Sequence, residues 1–356
     1  MRVTFACPLH GYLYYGGAQV QADKTAEELA NLGVEVEFLT PRTGTLGDLV
    51  HCFGPYSQYD LVMKMCQSRG IPVVCSTIFY IEPKTRQFLS YWLKARSPWG
   101  THKTVRRMWQ HSSLLLPNSE AEAEQVRFVY GVSREQIHVV PNGVEARFAE
   151  GNPALFRDKF GIREPFVLNI GRIEGRKNQL RLLQALKGTG LKLVLIGKEW
   201  DPEYSAQCRR VADDNVIFLP PLAHDDPLLA SAYAACRVFA LPSLLETPGI
   251  VALEAGIAGA RVVTTPVGGG REYFGDHALY VDPHSVSDIR AKVLQAWNSA
   301  GDGKALQQHI LKHFTWRRVA EKTLKGYERV LQRGGHPLAH PHGSPGAAGP
   351  EHPAKR

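Results

Sequence analysis

The chain has 356 residues, 44% hydrophobic and 21% charged, an ordinary globular balance with length for two domains that each bury a core. Its formal charge of +8 permits contact with phosphates, nucleic acid or an anionic membrane surface but selects none of them. No apolar run approaches the ~20 residues that span a bilayer, and the six cysteines form no C-x-x-C pair, which favours free thiols in a reducing compartment over zinc or disulfides.

Residues 1–7 read as a first strand leading into a glycine turn, too short an apolar stretch for a signal peptide. Strands are expected at 3–7, 34–39, 49–53, 72–78, 113–117 and 137–140, with a helix over 18–32. A second series is expected at 166–170, 192–196, 216–219, 238–241, 261–265 and 279–281, with a helix over 179–186. This alternation predicts an α/β chain of two doubly wound parallel sheets. Turn signals at Pro141-Asn142-Gly143 and Gly151-Asn152-Pro153 place the boundary, giving domains over 1–150 and 151–314. An amphipathic stretch predicts a terminal helix over 315–333. The remainder, 334–356, rich in proline and histidine, reads as a disordered tail, and His336, His340 and His342 as tail residues rather than metal ligands.

Two sheets in series suit several enzyme classes, so the motifs must decide. After the expected strand 238–241 comes Glu246-Thr247-Pro248-Gly249-Ile250-Val251, with Glu254 farther on. Thr247 suits an N-cap and Pro248 the first helical position, so a helix is expected to begin near Pro248 at the carboxyl end of a parallel strand. The backbone N–H groups around Gly249, Ile250 and Val251 then form an anion site. Glu246 and Glu254 flank it, as suits a ligand with hydroxyls on both sides of a phosphate; read alone, Glu246 is better explained as a capping acid and Glu254 as an exposed helix carboxylate. A second loop, Gly171-Arg172-Ile173-Glu174-Gly175-Arg176-Lys177-Asn178, follows strand 166–170. Arg172 and Lys177 are expected to project from it and neutralise a leaving diphosphate.

At these residues the sequence resembles glycosyltransferase family 4. Glu246 and Glu254 match the E-x7-E signature of retaining GT-B enzymes, and Gly171-Arg172 with Lys177-Asn178 matches the family's G-R-x4-K-N loop. Further matches are Tyr15-Gly16-Gly17-Ala18-Gln19, Asn118-Ser119-Glu120, Pro141-Asn142-Gly143-Val144, Val267-Gly268-Gly269 with Arg271-Glu272, and the Phe314-Thr315-Trp316 helix start. The resemblance implies a GT-B fold: two Rossmann-like domains facing a cleft, with the terminal helix crossing back to the N-terminal one. It also implies that Glu246 contacts the donor sugar, Glu254 the ribose, and Arg172 and Lys177 the diphosphate, with Gly16 and Gly17 beside the phosphates. One departure stands out: Ile78 occupies the place of a histidine that many relatives carry near the acceptor. That leaves no dedicated base there, which is compatible with a front-face mechanism in which the leaving phosphate takes the acceptor proton. His51 is a weak substitute candidate, and the acceptor residues stay open.

Metal dependence is not expected, because the chain has no D-x-D motif; Asp213-Asp214 and Asp225-Asp226 read as turn or cap pairs. No resident cofactor is expected, only a substrate nucleoside diphosphate sugar, UDP- or GDP-linked. Residues 84–111 carry Lys84, Arg86, Lys94, Arg96, Lys103, Arg106 and Arg107, no acid, and Phe88, Tyr91, Trp92, Trp99 and Trp109 among them. This stretch fits either an internal helix with a basic face or peripheral contact with an anionic membrane and a lipid-linked acceptor. Nucleic acid fits less well, since no recognisable module surrounds it. The expected protein is a cytoplasmic retaining hexosyltransferase of cell-surface polysaccharide or glycolipid synthesis, acting on a saccharide or lipid-linked acceptor. The alternatives are a nucleotide-sugar epimerase on the same fold and a non-catalytic carbohydrate-binding protein.

Overall fold

The structure, a computed structural model, describes residues 1–7, 17–81, 86–247 and 249–333. Gly16, Lys84, Pro248 and the expected tail 334–356 lie outside the described residues.

Short runs of valine, leucine and phenylalanine without polar alternation mark strands buried on both faces. Strands β1 (Arg2–Ala6), β2 (Glu35–Phe38), β3 (Leu49–Phe53), β4 (Val73–Ser76) and β5 (Leu114–Leu116) pair in parallel, in the order β2-β1-β3-β4-β5. Strands β6 (Phe166–Ile170), β7 (Lys192–Ile196), β8 (Val216–Leu219), β9 (Val238–Leu241), β10 (Arg261–Thr264) and β11 (Leu279–Tyr280) form the second parallel sheet, in the order β11-β10-β9-β6-β7-β8. Every residue of β3, β4, β5, β6 and β9 is buried. In the second sheet the winding direction reverses between β6 and β9. Open α/β sheets bind ligands at such a reversal, outside the carboxyl ends of the strands.

Two expectations need correction. Residues 137–140 form no strand: they donate from His138 N to Leu115 O and from Val140 N to Pro117 O, both at 2.9 Å, and make one bridge, Leu115 to Ile137. The ladder stops because β5 is three residues long and is followed by Pro117, which has no N–H to donate. The strand expected to reach residue 78 stops at Ser76, and Ile78 takes φ 43°, a left-handed conformation that is strained for a β-branched side chain.

The helix Trp316–Arg333 packs against the helix Gly17–Asn31 and β5, so the last described helix returns to the first sheet. Its buried face is Trp316, Val319, Ala320, Tyr327, Val330 and Leu331. Val144, in the segment joining the sheets, donates to Phe314 O at 2.8 Å and so pins the start of this helix. Opposite, the Tyr273 hydroxyl donates to Asn118 O and receives Asn142 N–H, each at 2.7 Å. The two Glu272 oxygens accept Glu120 N and Ala121 N at 2.6 and 2.8 Å, at the head of the helix Glu120–Tyr130. These contacts join the halves along one wall and leave a cleft between them.

Candidate active site

The loop after β6 and the loop after β9 meet at the point of reversal. Asn178, at φ 62°, closes the first as a tight 3-10 turn. Its amide reaches across to Pro242 O at 2.8 Å and Pro283 O at 2.7 Å. Leu244 N donates to Arg176 O at 2.9 Å, and Arg176 Nη1 to Leu245 O at 3.1 Å. The loops are thus stitched together by hydrogen bonds onto main-chain oxygens before any ligand is considered.

Glu246 lies at the seam. Its backbone pairs with the segment of Gly268, donating to Val267 O at 3.1 Å. A Cβ on Gly268 would sit 1.7 Å from Glu246 O, and its φ is +108°, so only glycine admits this approach. Lys177 Nζ donates to Glu246 Oε1 at 2.6 Å, with the two side chains 12% and 6% exposed, and Arg176 Nη1 stands 3.8 Å away. Burial pushes the Glu246 carboxyl up, but the charges of Lys177 and Arg176 outweigh it and hold it below the usual range.

The helix expected to begin near Pro248 begins at Ile250 and runs to Ile257. Gly249 caps it at φ 81°, and Thr247 does not. Thr247 and Pro248 carry the usual start signal, but the left-handed glycine turns the chain after them and delays the first helical turn. A Cβ added to Gly249 would lie 3.3 Å from Glu246 Oε2 and 3.1 Å from Leu241 Cδ2, so the carboxylate lies against the head of the helix. Ile250 and Val251 open the helix, where N–H groups have no intrahelical partner and the dipole is positive.

Two adjoining cavities share Gly17, Arg172, Ile250 and Val251 along their walls. The larger, about 520 Å³, holds Lys177, Glu246, Thr247 and Gly249, with Arg176, Ala18, Gln21, Ile78 and Asn142. The other, about 370 Å³, holds Glu254, Tyr233, His224 and Lys198 against Ile170, Leu222 and Leu229. Glu254 is 3% exposed and its Oε2 accepts the Tyr233 hydroxyl at 2.7 Å. Burial raises its pKa, with Tyr233 and His224 opposing. Arg172 stacks on Trp200 at 4.7 Å and reaches Glu174 at 3.3 Å, yet keeps a side chain 47% exposed at the shared wall. Among the described residues, none comes within 4 Å of where a Cβ on Gly17 would stand.

Arg172, Lys177, Glu246, Gly249, Ile250, Val251 and Gly17 therefore surround one cavity, with Glu254 in its neighbour; Gly16 is outside the described residues. His51 does not belong with them. It sits 1% exposed on β3, the central strand of the first sheet, bonded to the Tyr327 hydroxyl at 2.6 Å and Ser76 Oγ at 2.9 Å. Burial lowers its pKa to about 3, so the weak acceptor candidate is a neutral core residue. Sequence reasoning missed Arg176, Tyr233 and His224, which lie in loops or helices whose partners are remote in the chain. Among the described residues no group of three or more His, Cys, Asp or Glu stands close enough to hold a metal ion.

Residues 154–310 match the model for glycosyl transferases group 1, and residues 48–148 the model for glycosyltransferase family 4. A D-inositol 3-phosphate glycosyltransferase of Mycobacteroides abscessus is 26% identical over 89% of this chain and 85% of its own length. A sucrose-phosphate synthase of Thermosynechococcus elongatus superposes with TM-score 0.74 at 19% identity, covering 94% of this chain and all of that one. Anabaena HepE, solved with UDP and glucose, superposes with TM-score 0.69 at 18% identity over 92% of this chain and 100% of its own.

Proposed function

We propose that this chain, which belongs to the GT-B glycosyltransferases and resembles family 4, moves a hexose from a nucleoside diphosphate sugar to a saccharide or lipid-linked hydroxyl with retention. The observation that carries this is the pairing of Glu246 with Lys177 at the head of the helix Ile250–Ile257, with Arg172 on the same cavity wall. The donor diphosphate lies against the helix N–H groups and those two cations, the hexose beside Glu246 and the ribose against Glu254 in the adjoining cavity.

The acceptor oxygen forms its bond to the anomeric carbon on the face that the diphosphate leaves. The bond from that carbon to the phosphate oxygen breaks, and this oxygen takes the acceptor proton. Arg172, Lys177 and the helix start are in place before the reaction for the charge that develops there. Ile78, at the position where the resemblance implies a histidine in many relatives, lines the cavity, so no imidazole competes for the proton at that position. Closure of the two halves brings acceptor and donor into contact. The same cations supply the neutralisation a divalent ion would bring, so turnover is expected to persist in EDTA. The reading needs no resident cofactor.

The lipid-linked part of the proposal rests on the helices Arg86–Arg96 and Thr101–His111. Trp109 is buried core, but Trp99 is 82% exposed, and Leu89, Leu93 and Phe128 also face outward. Arg96 stacks on Trp92 at 3.9 Å, which leaves a cationic, apolar surface on the N-terminal half. Such a surface suits peripheral contact with an anionic leaflet. Flotation with phosphatidylglycerol vesicles is expected to carry the protein upward in low salt only; absence of flotation would remove the membrane from the proposal.

The function itself is tested with a panel of UDP-, GDP- and ADP-sugars, reading nucleotide release with and without added acceptor sugars and the anomeric form of the product. Acceptor-stimulated release with retained configuration is expected. An epimerised sugar nucleotide, or a panel with no release, would overturn the reading.

A further inference from the structure

His224 stands where three parts of the molecule meet. Its Nε2 is 2.5 Å from Glu145 Oε2, and its Nδ1 is 3.7 Å from Glu254 Oε1. Glu145 belongs to the segment joining the two sheets, and its other oxygen accepts Lys24 Nζ at 3.1 Å from the helix Gly17–Asn31. Arg147 approaches Glu145 at 3.3 Å and donates to His224 O at 2.5 Å. The imidazole packs edge-on against Phe148, 5.6 Å between centroids, and borders the cavity that contains Glu254.

The two oxygens of Glu254 are not equivalent. Oε2 accepts the Tyr233 hydroxyl, whereas no donor among the described residues bonds Oε1. At 3.7 Å, His224 Nδ1 is beyond hydrogen-bond reach of Oε1 and acts on it by charge alone. That geometry leaves Oε1 free to accept a hydroxyl while a cation stands beside it.

We propose that His224 is a positioning residue for the donor: its imidazolium holds the buried Glu254 carboxylate ionised and ready for the ribose diol of a nucleoside diphosphate, and Glu145 ties this grip to the interdomain segment. The inference rests on the nucleotide-sugar reading above and adds a residue outside the family motifs. The charges facing His224 are Glu145, Glu254 and Arg147, with Lys24 behind Glu145. The hydrogen bond to Glu145 raises the His224 pKa above its ordinary 6.5, aided by the Glu254 and Glu145 charges and opposed by burial and Arg147. A raised pKa means that the imidazolium stands beside Glu254 below the folded value and is lost as pH rises through it.

The test is calorimetric titration of UDP, GDP and ADP into the full chain between about pH 6 and about pH 9. Wild-type affinity for the nucleotide that binds is expected to fall about fivefold across that range, as suits one partly exposed charge contact. His224→Gln is expected to bind about fivefold more weakly at the low end and to show only the slope owed to the diphosphate's own titration. Glu145→Gln should move the fall to lower pH, and it decides the matter if His224→Gln fails to fold. A His224→Gln profile that follows the wild type, or an unmoved Glu145→Gln profile, would overturn the assignment while leaving the donor site standing. If none of the three nucleotides binds wild type, the nucleotide-sugar reading falls and this inference falls with it.

Discussion

Replacing Lys177 by methionine separates the structural from the chemical role of the pair at the centre of the site. Lys177 Nζ is 2.6 Å from Glu246 Oε1 and both side chains are largely buried, so the variant strands a carboxylate away from water. Breaking a buried ion pair costs about 3–5 kcal/mol. Arg176, 3.8 Å from the same oxygen and 43% exposed, recovers part of that, so a loss of about 2–3 kcal/mol is expected in urea melts. The wild-type carboxyl is held below its usual range, so its pairing stabilises the fold above the unfolded value and is lost as pH falls through the folded one. The unpaired Glu246 of the variant takes up a proton more readily, so the deficit should narrow as pH falls. Adding Glu246→Gln should return about 1.5–3 kcal/mol of the loss as coupling energy. Turnover behaves differently. Lys177→Met is expected to lower kcat by about 100- to 1000-fold, as removal of a charge-stabilising donor does, and the double variant should not recover it. Additive stabilities would refute the pairing, and recovery of turnover in the double variant would refute the chemical role.

Three further outcomes follow from the same geometry. Glu246→Gln should cut nucleotide release strongly, whereas Asp213→Asn should leave it unchanged, because Asp213 serves a turn through Asn215 N at 3.0 Å; equal activities would displace the site. Gly268→Ala places a Cβ 1.7 Å from Glu246 O at φ +108°, and a fall in activity of about 100-fold or more in a protein of native circular dichroism is expected; near wild-type rates would show that the Glu246 loop need not stand where it does. His51 is held neutral with a pKa near 3 against an ordinary 6.5, so the unfolded chain takes a proton the folded one refuses, and stability drops as pH falls between those values. The drop reaches up to about 1.4 kcal/mol per pH unit, and His51→Gln should flatten it. Glu122, raised to about 7 by burial, has the opposite slope, so the difference between wild type and His51→Gln is the quantity to measure; a difference independent of pH would refute the argument.

Much of the fold is legible because parallel strands buried on both faces declare themselves as unbroken apolar runs: β3, β6, β7, β8 and β9 lie at the expected residues. Where boundaries moved, backbone geometry decided. Ile78 and Gly249 adopt left-handed conformations that end a strand and delay a helix, and neither residue type announces this by itself. The 137–140 segment has strand composition but only a three-residue partner to pair with. In the site, Arg172, Lys177 and Glu246 were readable because their loops follow strands at the reversal of the sheet. Arg176, Tyr233 and His224 were not, since each gains its meaning from a carboxylate 70, 21 or 30 positions away in the chain, or thereabouts, brought near by the fold. His51 illustrates the converse: a histidine in an apolar strand is more often satisfied in the core than offered to a substrate.

The most direct measurement is a crystal structure of the chain with an intact nucleoside diphosphate sugar. The account expects the diphosphate within hydrogen-bond distance of Ile250 or Val251 N–H and of Arg172 and Lys177, the ribose on Glu254 Oε1 and the hexose beside Glu246. A nucleotide seated elsewhere, or one whose phosphates face away from the head of the helix Ile250–Ile257, would contradict it.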